Sequence, residues 1–335
     1  MKRKHWLIIL VCLGLLALPM SAAGDGEVLY GCTGGSGGAG DVEAGGNIGG
    51  GGGESRVGVA NASNLYIINT ATGAATLVGA MGINRCSGLS FSPAGTLFAV
   101  GEDPENPDDT SLFTVNPNTG AATLVGPSPH SFGSTIADIS FRSDGALFGY
   151  LEANDGLGTL NTTTGAVNEL GATNTPSCCG NGIAFDAANV LFHTNDYQLN
   201  TLNQTTGQYT LVALHTWPAV DCPAEEEEPG ARINAMDFNS GGTLFGSLNC
   251  GWGGAGPNYL TIINKSTGAV TDIGATVDGL DGIAFAPAPP PTPTPTPPPP
   301  EVPFVPEAST MVLLGSGLAG LAGYASLRLR GLRKR

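Results

Sequence analysis

Oxygen-bearing side chains recur at one place in a repeated pattern of this chain, just before a short apolar strand that ends in phenylalanine. Asn181, Asn234 and Asp281 occupy three of the five equivalent positions, and Ser87 and Ala137 occupy the others. Ca²⁺ accepts carboxylate and amide oxygens, so these three residues are the candidate metal ligands. Polar residues where strands begin also cap backbone groups and face water, and we favour that role. No cofactor is therefore predicted, and Ca²⁺ is kept as the alternative.

Six cysteines follow the N-terminal apolar segment, and an even number in an exported chain favours disulfides. They are Cys32, Cys86, Cys178, Cys179, Cys222 and Cys250. Cys222 and Cys250 belong to one repeat and are expected to pair first. Cys32 with Cys86 is the second expectation, whereas a bridge between the adjacent Cys178 and Cys179 would be strained. Metal binding is the alternative, although no Cys-x-x-Cys or neighbouring histidine supports it.

The histidines of the repeat region form no recognisable catalytic motif. His130, His193 and His215 lie far apart in the repeat pattern, and the chain contains no His-Glu-x-x-His. Each is interpreted as a loop or strand residue rather than a base. The acidic stretch 102–109 lacks the spacing of an EF-hand, and 225–228 is a like-charge run, which is usually solvated. No catalytic residue is predicted.

These residues belong to a unit that recurs along the chain, seen first in Leu65–Gly101. It contains four short apolar runs separated by a Thr-Gly turn, a looser loop and a Ser-Pro-Ala-Gly turn, which is typical of strands and hairpins. Further copies begin at Leu112, Leu157, Leu199 and Tyr259. The turn glycines, 47, 45, 42 and 61 residues apart, are Gly73, Gly120, Gly165, Gly207 and Gly268. This period with four strands predicts an all-β, five-bladed β-propeller.

The two ends of the repeat region predict how the ring closes. The fifth copy ends at Phe285 without a fourth strand, while Gly26–Gly31 (GEVLYG) resembles the strand that ends the other copies. We expect this N-terminal strand to complete the last blade and remove an open edge. Six or seven blades, or an open array of sheets, are the alternatives. The longer loops are expected on one face, where binding usually takes place.

The N-terminus predicts export. Residues 1–23 combine Lys2, Arg3 and Lys4 with an apolar run and a small-residue cleavage site, as in a secretory signal peptide. The rest of the chain divides by composition into parts with different physical roles. They are a repeat domain (24–286) with a Gly-rich loop (34–53), a Pro/Thr-rich extended linker (287–303), and a segment (304–335) with an apolar transmembrane helix (311–327) and a basic tail.

Charge excludes one class of partner. From Gly24 to Phe304 the chain has five basic and 27 acidic residues. Such a surface repels phosphate backbones, so no nucleic-acid partner is expected. It would attract cations or basic partners, although solubility is the commoner consequence.

The C-terminal segment resembles the PEP-CTERM sorting signal of Gram-negative bacteria. Val305, Pro306 and Glu307 match its motif, Ala308 stands where a second proline is usual, and an apolar segment and arginine-rich end follow. The resemblance implies recognition of Pro306 and Glu307 by an exosortase-type membrane protease and a transient inner-membrane anchor. It also implies removal of the tail and transfer of the body to the outer surface or extracellular matrix. The Thr-Gly-Ala-Thr turns resemble those of loosely defined propeller families on exported bacterial proteins, which bears on fold alone.

These expectations combine into one functional hypothesis and one alternative. The first is a non-enzymatic binding or structural protein of the cell surface or matrix, with an unidentified polymer or protein partner. The alternative is a Ca²⁺-dependent propeller hydrolase acting on a lactone or glycan. Convergence of Asn181, Asn234 and Asp281 on one central pocket would favour the hydrolase, whereas a plugged or merely water-filled channel would favour the binding protein.

Overall fold

The computed structural model describes residues 27–34, 62–133, 135–152, 154–176, 180–219, 222, 230–250, 257–287 and 308–332. The chain divides into two units, Met1–Ala288 and Pro289–Arg335. In the described residues the first unit is built of β-strands and the second contains one helix.

Seven strands form the largest sheet, in the order β19-β1-β2-β3-β4-β5-β6. They are β1 (Leu29–Thr33), β2 (Ala62–Ile68), β3 (Ala75–Phe91), β4 (Leu97–Asp103), β5 (Asn106–Val115), β6 (Ala122–Pro127) and β19 (Leu280–Phe285). All neighbouring strands in this sheet are antiparallel. The sheet therefore begins with the last strand of the repeat region and continues with the first.

The other strands form three antiparallel sheets of four. The first contains β7 (Ile136–Phe141), β8 (Leu147–Leu151), β9 (Gly156–Leu160) and β10 (Val167–Ala172). The second contains β11 (Ile183–Phe185), β12 (Leu191–Thr194), β13 (Gln198–Leu202) and β14 (Tyr209–Leu214). The third contains β15 (Ala231–Phe238), β16 (Leu244–Cys250), β17 (Asn258–Ile263) and β18 (Val270–Ala275).

Strand β3 is continuous where the sequence predicts a loop between two strands. Its first part, Ala75–Asn84, pairs with β2, and its last part, Gly88–Phe91, pairs with β4. Gly82 and Arg85 have positive φ angles of 76° and 45°, and the register shifts between Asn84 and Gly88. The backbone therefore changes direction without leaving the sheet, and the seven strands are two four-stranded halves joined through β3.

The N-terminal strand lies beside the last strand of the repeat region, as predicted. Leu29 of β1 is paired with Phe285 of β19 on one side. On its other side Leu29 is paired with Ile68 of β2, so β1 also contacts the repeat that begins at Leu65. The repeat read from the sequence thus spans two four-stranded groups, because the chain passes from one group to the next after the second strand of each repeat. The predicted repeat boundaries were wrong by half a repeat, although the predicted pairing of β1 with β19 is confirmed.

The first strand of each four-stranded group contacts its counterparts in the adjacent groups. These inner strands are the last part of β3, β7, β11, β15 and β19. Contacts run from β3 to β7, β11, β15 and β19 in turn, and β19 contacts β3. The arrangement is propeller-like, and the space that the inner strands enclose is called the central channel below.

The Thr-Gly turns pack against the outer strand of the preceding group. A Cβ on Gly73, whose φ is 75°, would lie 2.4 Å from the carbonyl oxygen of Gly274, so only glycine fits this contact. The other close pairs are Gly120 with Gly79, Gly165 with Gly126, Gly207 with Gly171, and Gly268 with Leu214. Apolar clusters fill the space between the sheets; one of them joins Leu29 and Ile68 to Phe245 and Leu260.

The second unit contains helix α1 (Ala308–Leu332), which is longer at both ends than the predicted helix 311–327. Residues Ala308–Gly331 are long and apolar enough to cross a membrane. The predicted signal peptide, most of the Gly-rich loop and linker, and Val305, Pro306 and Glu307 of the sorting motif lie outside the described residues. Ala308 begins the helix.

Candidate functional site

Each inner strand carries a five-residue segment that ends in phenylalanine. The segments are Ser87–Phe91, Ala137–Phe141, Asn181–Phe185, Asn234–Phe238 and Asp281–Phe285. Their fourth positions link adjacent strands. Ser90 Oγ accepts the N–H of Phe141 at 3.1 Å, Ser140 Oγ accepts the N–H of Phe185 at 3.1 Å, and Asp237 Oδ2 accepts the N–H of Phe285 at 2.7 Å. Side chains within the channel therefore join neighbouring sheets to one another.

Asp138 occupies the second position, where the other segments have Gly88, Gly182, Ala235 and Gly282. Its carboxylate is fully buried and accepts backbone N–H groups from three inner strands. Oδ1 accepts from Ile139 at 2.8 Å, and Oδ2 accepts from Ile183 at 2.9 Å and Met236 at 3.4 Å. Because these donors lie on β7, β11 and β15, the carboxylate links three of the five inner strands at this level.

Burial dominates the electrostatics of this buried level of the channel. It raises the pKa of Asp138 well above its ordinary value, against the three N–H donors, which lower it. Asp237 raises the pKa of Asp138 further, and burial raises the pKa of Asp237 itself to about 7. Small neighbours are required here, because a Cβ on Gly88 would lie 2.9 Å from Asp138 Oδ1.

The three candidate metal ligands lie one residue before this level, at what we call the channel mouth. Asn234 Nδ2 donates to Asp281 Oδ1 at 2.6 Å. Asn181 Nδ2 donates to Glu152 Oε1 at 3.2 Å, and Glu152 is a residue that sequence reasoning missed. Glu152, Asn181, Asn234 and Asp281 are called the mouth cluster below. Glu152 follows β8, at a repeat position that Glu102, Asp196 and Asn249 occupy in other copies. Its contact with Asn181, and not its place in the pattern, identifies it as part of this site.

The two carboxyl groups of the mouth cluster both have raised pKa values. Burial raises the pKa of Asp281 to about 7, and the charge of Glu152 raises it further, whereas Asn234 and Arg232 lower it. Burial also raises the pKa of Glu152, while Asn181, Thr135 and Arg232 lower it. Both side chains keep partly accessible surface although protein atoms surround them, as expected in a narrow channel.

His193 connects the mouth cluster to the interior of the second four-stranded sheet. Its Nε2 lies 3.2 Å from Asn181 Oδ1, and its Nδ1 lies 3.3 Å from Asn200 Nδ2. An amide oxygen only accepts, so Nε2 carries the proton and Nδ1 accepts from Asn200. Burial lowers the pKa of His193 to about 3, so the ring is neutral. It stacks on Tyr150 with ring centroids 4.5 Å apart.

An exchange of residue size makes room for this imidazole. The positions equivalent to His193 in the other strands are Gly31, Ala99, Gly149 and Gly246. Conversely, Gly180 precedes Asn181, where the other segments are preceded by Cys86, Ile136, Ile233 and Leu280. In the first four-stranded sheet a Cβ on Gly149 would lie only 3.1 Å from Ile136 Cγ2. A side chain at this position therefore fits only where the facing residue is small, as Gly180 is beside His193. Comparing the repeats position by position would have identified both His193 and Asp138.

The other histidines make structural hydrogen bonds. His130 Nε2 contacts the carbonyl oxygen of Thr135 at 3.1 Å. His215 Nδ1 contacts the carbonyl oxygen of Gly268 at 2.9 Å, and its Nε2 lies 2.7 Å from Thr194 Oγ1. Within the described ranges, no three His, Cys, Asp or Glu side chains are grouped so as to hold a metal. The mouth cluster is not such a group, because two of its four members are asparagines.

Two disulfides join cysteines within the described residues, each in a pairing considered from the sequence. Cys32 of β1 is joined to Cys86 of β3, and Cys222 is joined to Cys250 at the end of β16. Cys178 and Cys179 lie outside the described residues. In the acidic stretch 102–109, Glu102 forms an ion pair with Arg85 at 3.2 Å. The run 225–228 lies outside the described residues.

No family model matches the sequence, and no curated protein matches it. Among solved structures, the chain is similar to one in a nidogen/laminin complex, with a TM-score of 0.44 and 12% identity over 78% of this chain and 98% of that one. It is also similar to a Bacteroides caccae protein of unknown function, with a TM-score of 0.41 and 14% identity over 77% of this chain and 98% of that one. A third similar structure is that of a protein provisionally described as a gluconolactonase, with a TM-score of 0.40 and 12% identity over 66% of this chain and 76% of that one. At these scores and identities the likeness carries no information on activity, ligand or partner.

Proposed function

We propose that this chain is an exported, non-enzymatic binding or structural protein of the cell surface or extracellular matrix, built on a closed five-bladed β-propeller. The blades are β19 to the first part of β3, the last part of β3 to β6, and the three four-stranded sheets. Two cycles of contacts support closure: one among the inner strands, and one among the Thr-Gly turns and preceding outer strands. Insertion of β1 between β19 and β2 ties the two chain ends of the domain together.

The observation that carries the binding role is the position of Asp138. Its carboxylate is fully buried and joins three inner strands below the mouth. We therefore place partner recognition at the mouth, on the face where the longer loops are expected, rather than within the channel. The excess of acidic residues favours a cationic or basic partner over a nucleic acid.

The sorting role is supported by the resemblance around Val305–Glu307 and by an apolar helix of membrane-spanning length. Disulfides agree with an oxidising compartment outside the cytoplasm. The chain would be held briefly in the inner membrane by α1, recognised by an exosortase-type protease, and released to the outer surface.

Fractionation with mass spectrometry tests this proposal in cells with and without the exosortase. We expect released protein to end before Met311, and protein in exosortase-deficient cells to remain in the membrane fraction with its tail. Released material that still contains residues from Met311 onward would contradict the sorting role. Co-sedimentation of the released protein with isolated extracellular polymer tests binding separately.

A Ca²⁺-dependent hydrolase is the second candidate, favoured by the contact of Asn234 with Asp281 near Glu152 and Asn181. Assays of lactone and glycan hydrolysis with and without Ca²⁺ test it. Activity that requires Ca²⁺ and is lost in Glu152→Gln would favour the hydrolase. Hydrolysis that neither requires Ca²⁺ nor decreases in Glu152→Gln would exclude the mouth cluster as its source.

A further inference from the structure

The mouth cluster brings oxygen-bearing groups from separate strands together. Glu152 follows β8, Asn181 precedes β11, Asn234 lies on β15 and Asp281 lies on β19. Each amide donates N–H to one carboxylate, at 3.2 Å for Asn181 and 2.6 Å for Asn234. The carboxylates are thus held in place by side-chain amides, which can turn over so that oxygen replaces nitrogen without moving the backbone.

A hydrogen bond from His193, on the side away from Glu152, fixes the orientation of the Asn181 amide. His193 Nε2–H donates to Asn181 Oδ1, and Asn200 Nδ2–H donates to His193 Nδ1. Hydrogen bonds therefore all run in one direction, from Asn200 through His193 and Asn181 to Glu152. All three residues behind the carboxylate are fully buried, so water does not randomise this order.

This series of hydrogen bonds through Asn200, His193 and Asn181 is called the relay below, and it can also run in the opposite direction. Asn200 Oδ1 is buried and has no hydrogen-bond partner among the described residues. If both amides turn over and the imidazole proton moves to Nδ1, His193 donates to Asn200 Oδ1 and Asn181 donates to His193 Nε2. The oxygen of Asn181 then faces Glu152. In either direction only one of the two polar atoms of the Asn200 amide bonds to His193, so the two directions make the same number of hydrogen bonds there. A positive charge at the mouth can therefore select one direction over the other.

We propose that the mouth cluster binds Ca²⁺ through oxygens of Glu152, Asp281, Asn181 and Asn234, and that binding reverses the direction of the Asn200–His193–Asn181 relay. Ca²⁺ accepts mixed carboxylate and amide oxygens in flexible geometry, whereas Mg²⁺ requires near-ideal octahedral geometry. The charge of Arg232 acts on both carboxyl groups and competes with the ion. This role goes beyond the proposed function, because the ion would order the loop-bearing face whether or not any bond is hydrolysed.

Calorimetric titration of the full-length protein in detergent with CaCl₂ tests the site. We expect one Ca²⁺ per chain, weaker binding of Mg²⁺, and affinity lowered by about tenfold or more in Glu152→Gln and Asp281→Asn. Asp272→Asn, the same change at an exposed position of β18, is the matched control and should bind as the parent does. Arg232→Gln should tighten binding. Absence of binding at millimolar Ca²⁺, or equal affinity in Glu152→Gln and the parent, would overturn the site.

Nitrogen-15 NMR of labelled histidine tests the relay separately. The Nε2–H form of His193 is expected without Ca²⁺ and the Nδ1–H form with it, and His193→Gln identifies the signals. Ca²⁺ binding that leaves the Nε2–H form unchanged would overturn the relay while leaving the site intact. Neither result depends on sorting or on a partner at the cell surface, so failure here is distinguishable from failure of the proposed function.

Discussion

The central channel holds carboxylates at two adjacent levels, and they are stabilised in different ways. Asp138 is fully buried and accepts three backbone N–H groups. Glu152 and Asp281 are partly accessible, and each accepts a side-chain amide. Backbone donors cannot turn away without breaking the strands, whereas side-chain amides can rotate. We therefore call Asp138 the plug, since the strands themselves fix its donors, whereas the donors at the mouth can rearrange.

The largest expected effect is that of removing the plug. Asp138→Leu would leave the N–H groups of Ile183 and Met236 buried without an acceptor, lowering the free energy of unfolding by about 3 kcal/mol. Urea unfolding monitored by circular dichroism measures this loss. Asp272→Leu on an exposed strand is the control. A variant at Asp138 as stable as this control would show that the plug contributes nothing and would remove the distinction between the two levels.

A smaller effect is expected behind the mouth. His193→Phe keeps a ring on Tyr150 but leaves Asn181 Oδ1 and Asn200 Nδ2 without their partner, which should cost about 1–2 kcal/mol. His193→Ala should cost more, because a cavity is added. The same unfolding measurement compares the two variants. Equal stability of His193→Phe and the parent would mean that the relay bonds are not formed in solution.

The smallest effect concerns pH. Burial raises the pKa of Asp281 from 3.8 to about 7, so the folded state binds more protons than the unfolded state between these values. The Asp281 contribution to stability is fully present below about pH 4 and is lost as pH rises through about 7. Asp281→Asn lacks this dependence.

The stability of Asp281→Asn relative to the parent should therefore increase between pH 4 and 8 in Ca²⁺-free buffer. Unfolding curves at several pH values measure it, with Asp272→Asn as the control. A constant difference would contradict the raised pKa of Asp281 and would place its carboxyl group in a water-like environment, which would sharpen the contrast with the buried Asp138.

Much of the architecture could be predicted from local patterns. The turn glycines predicted the repeat, because a Thr-Gly turn with positive φ is specified by residues adjacent in sequence. The pairing of β1 with β19 was also predicted, since the missing strand at Phe285 had one complement elsewhere in the chain. The continuous β3 was not, because Gly79–Ser87 has the composition of a loop and pairs only in its three-dimensional context.

The sequence by itself determined the strand repeat, the acidic character, the apolar terminal segment and the three oxygen-bearing positions Asn181, Asn234 and Asp281. Only the tertiary structure decided that Glu152 joins them, that Asp138 links three inner strands below, and that His193 orients Asn181. The reason is physical: strand and turn formation depends on neighbours in the chain, whereas burial, hydrogen-bond direction and raised pKa depend on groups that meet only after the strands pack together.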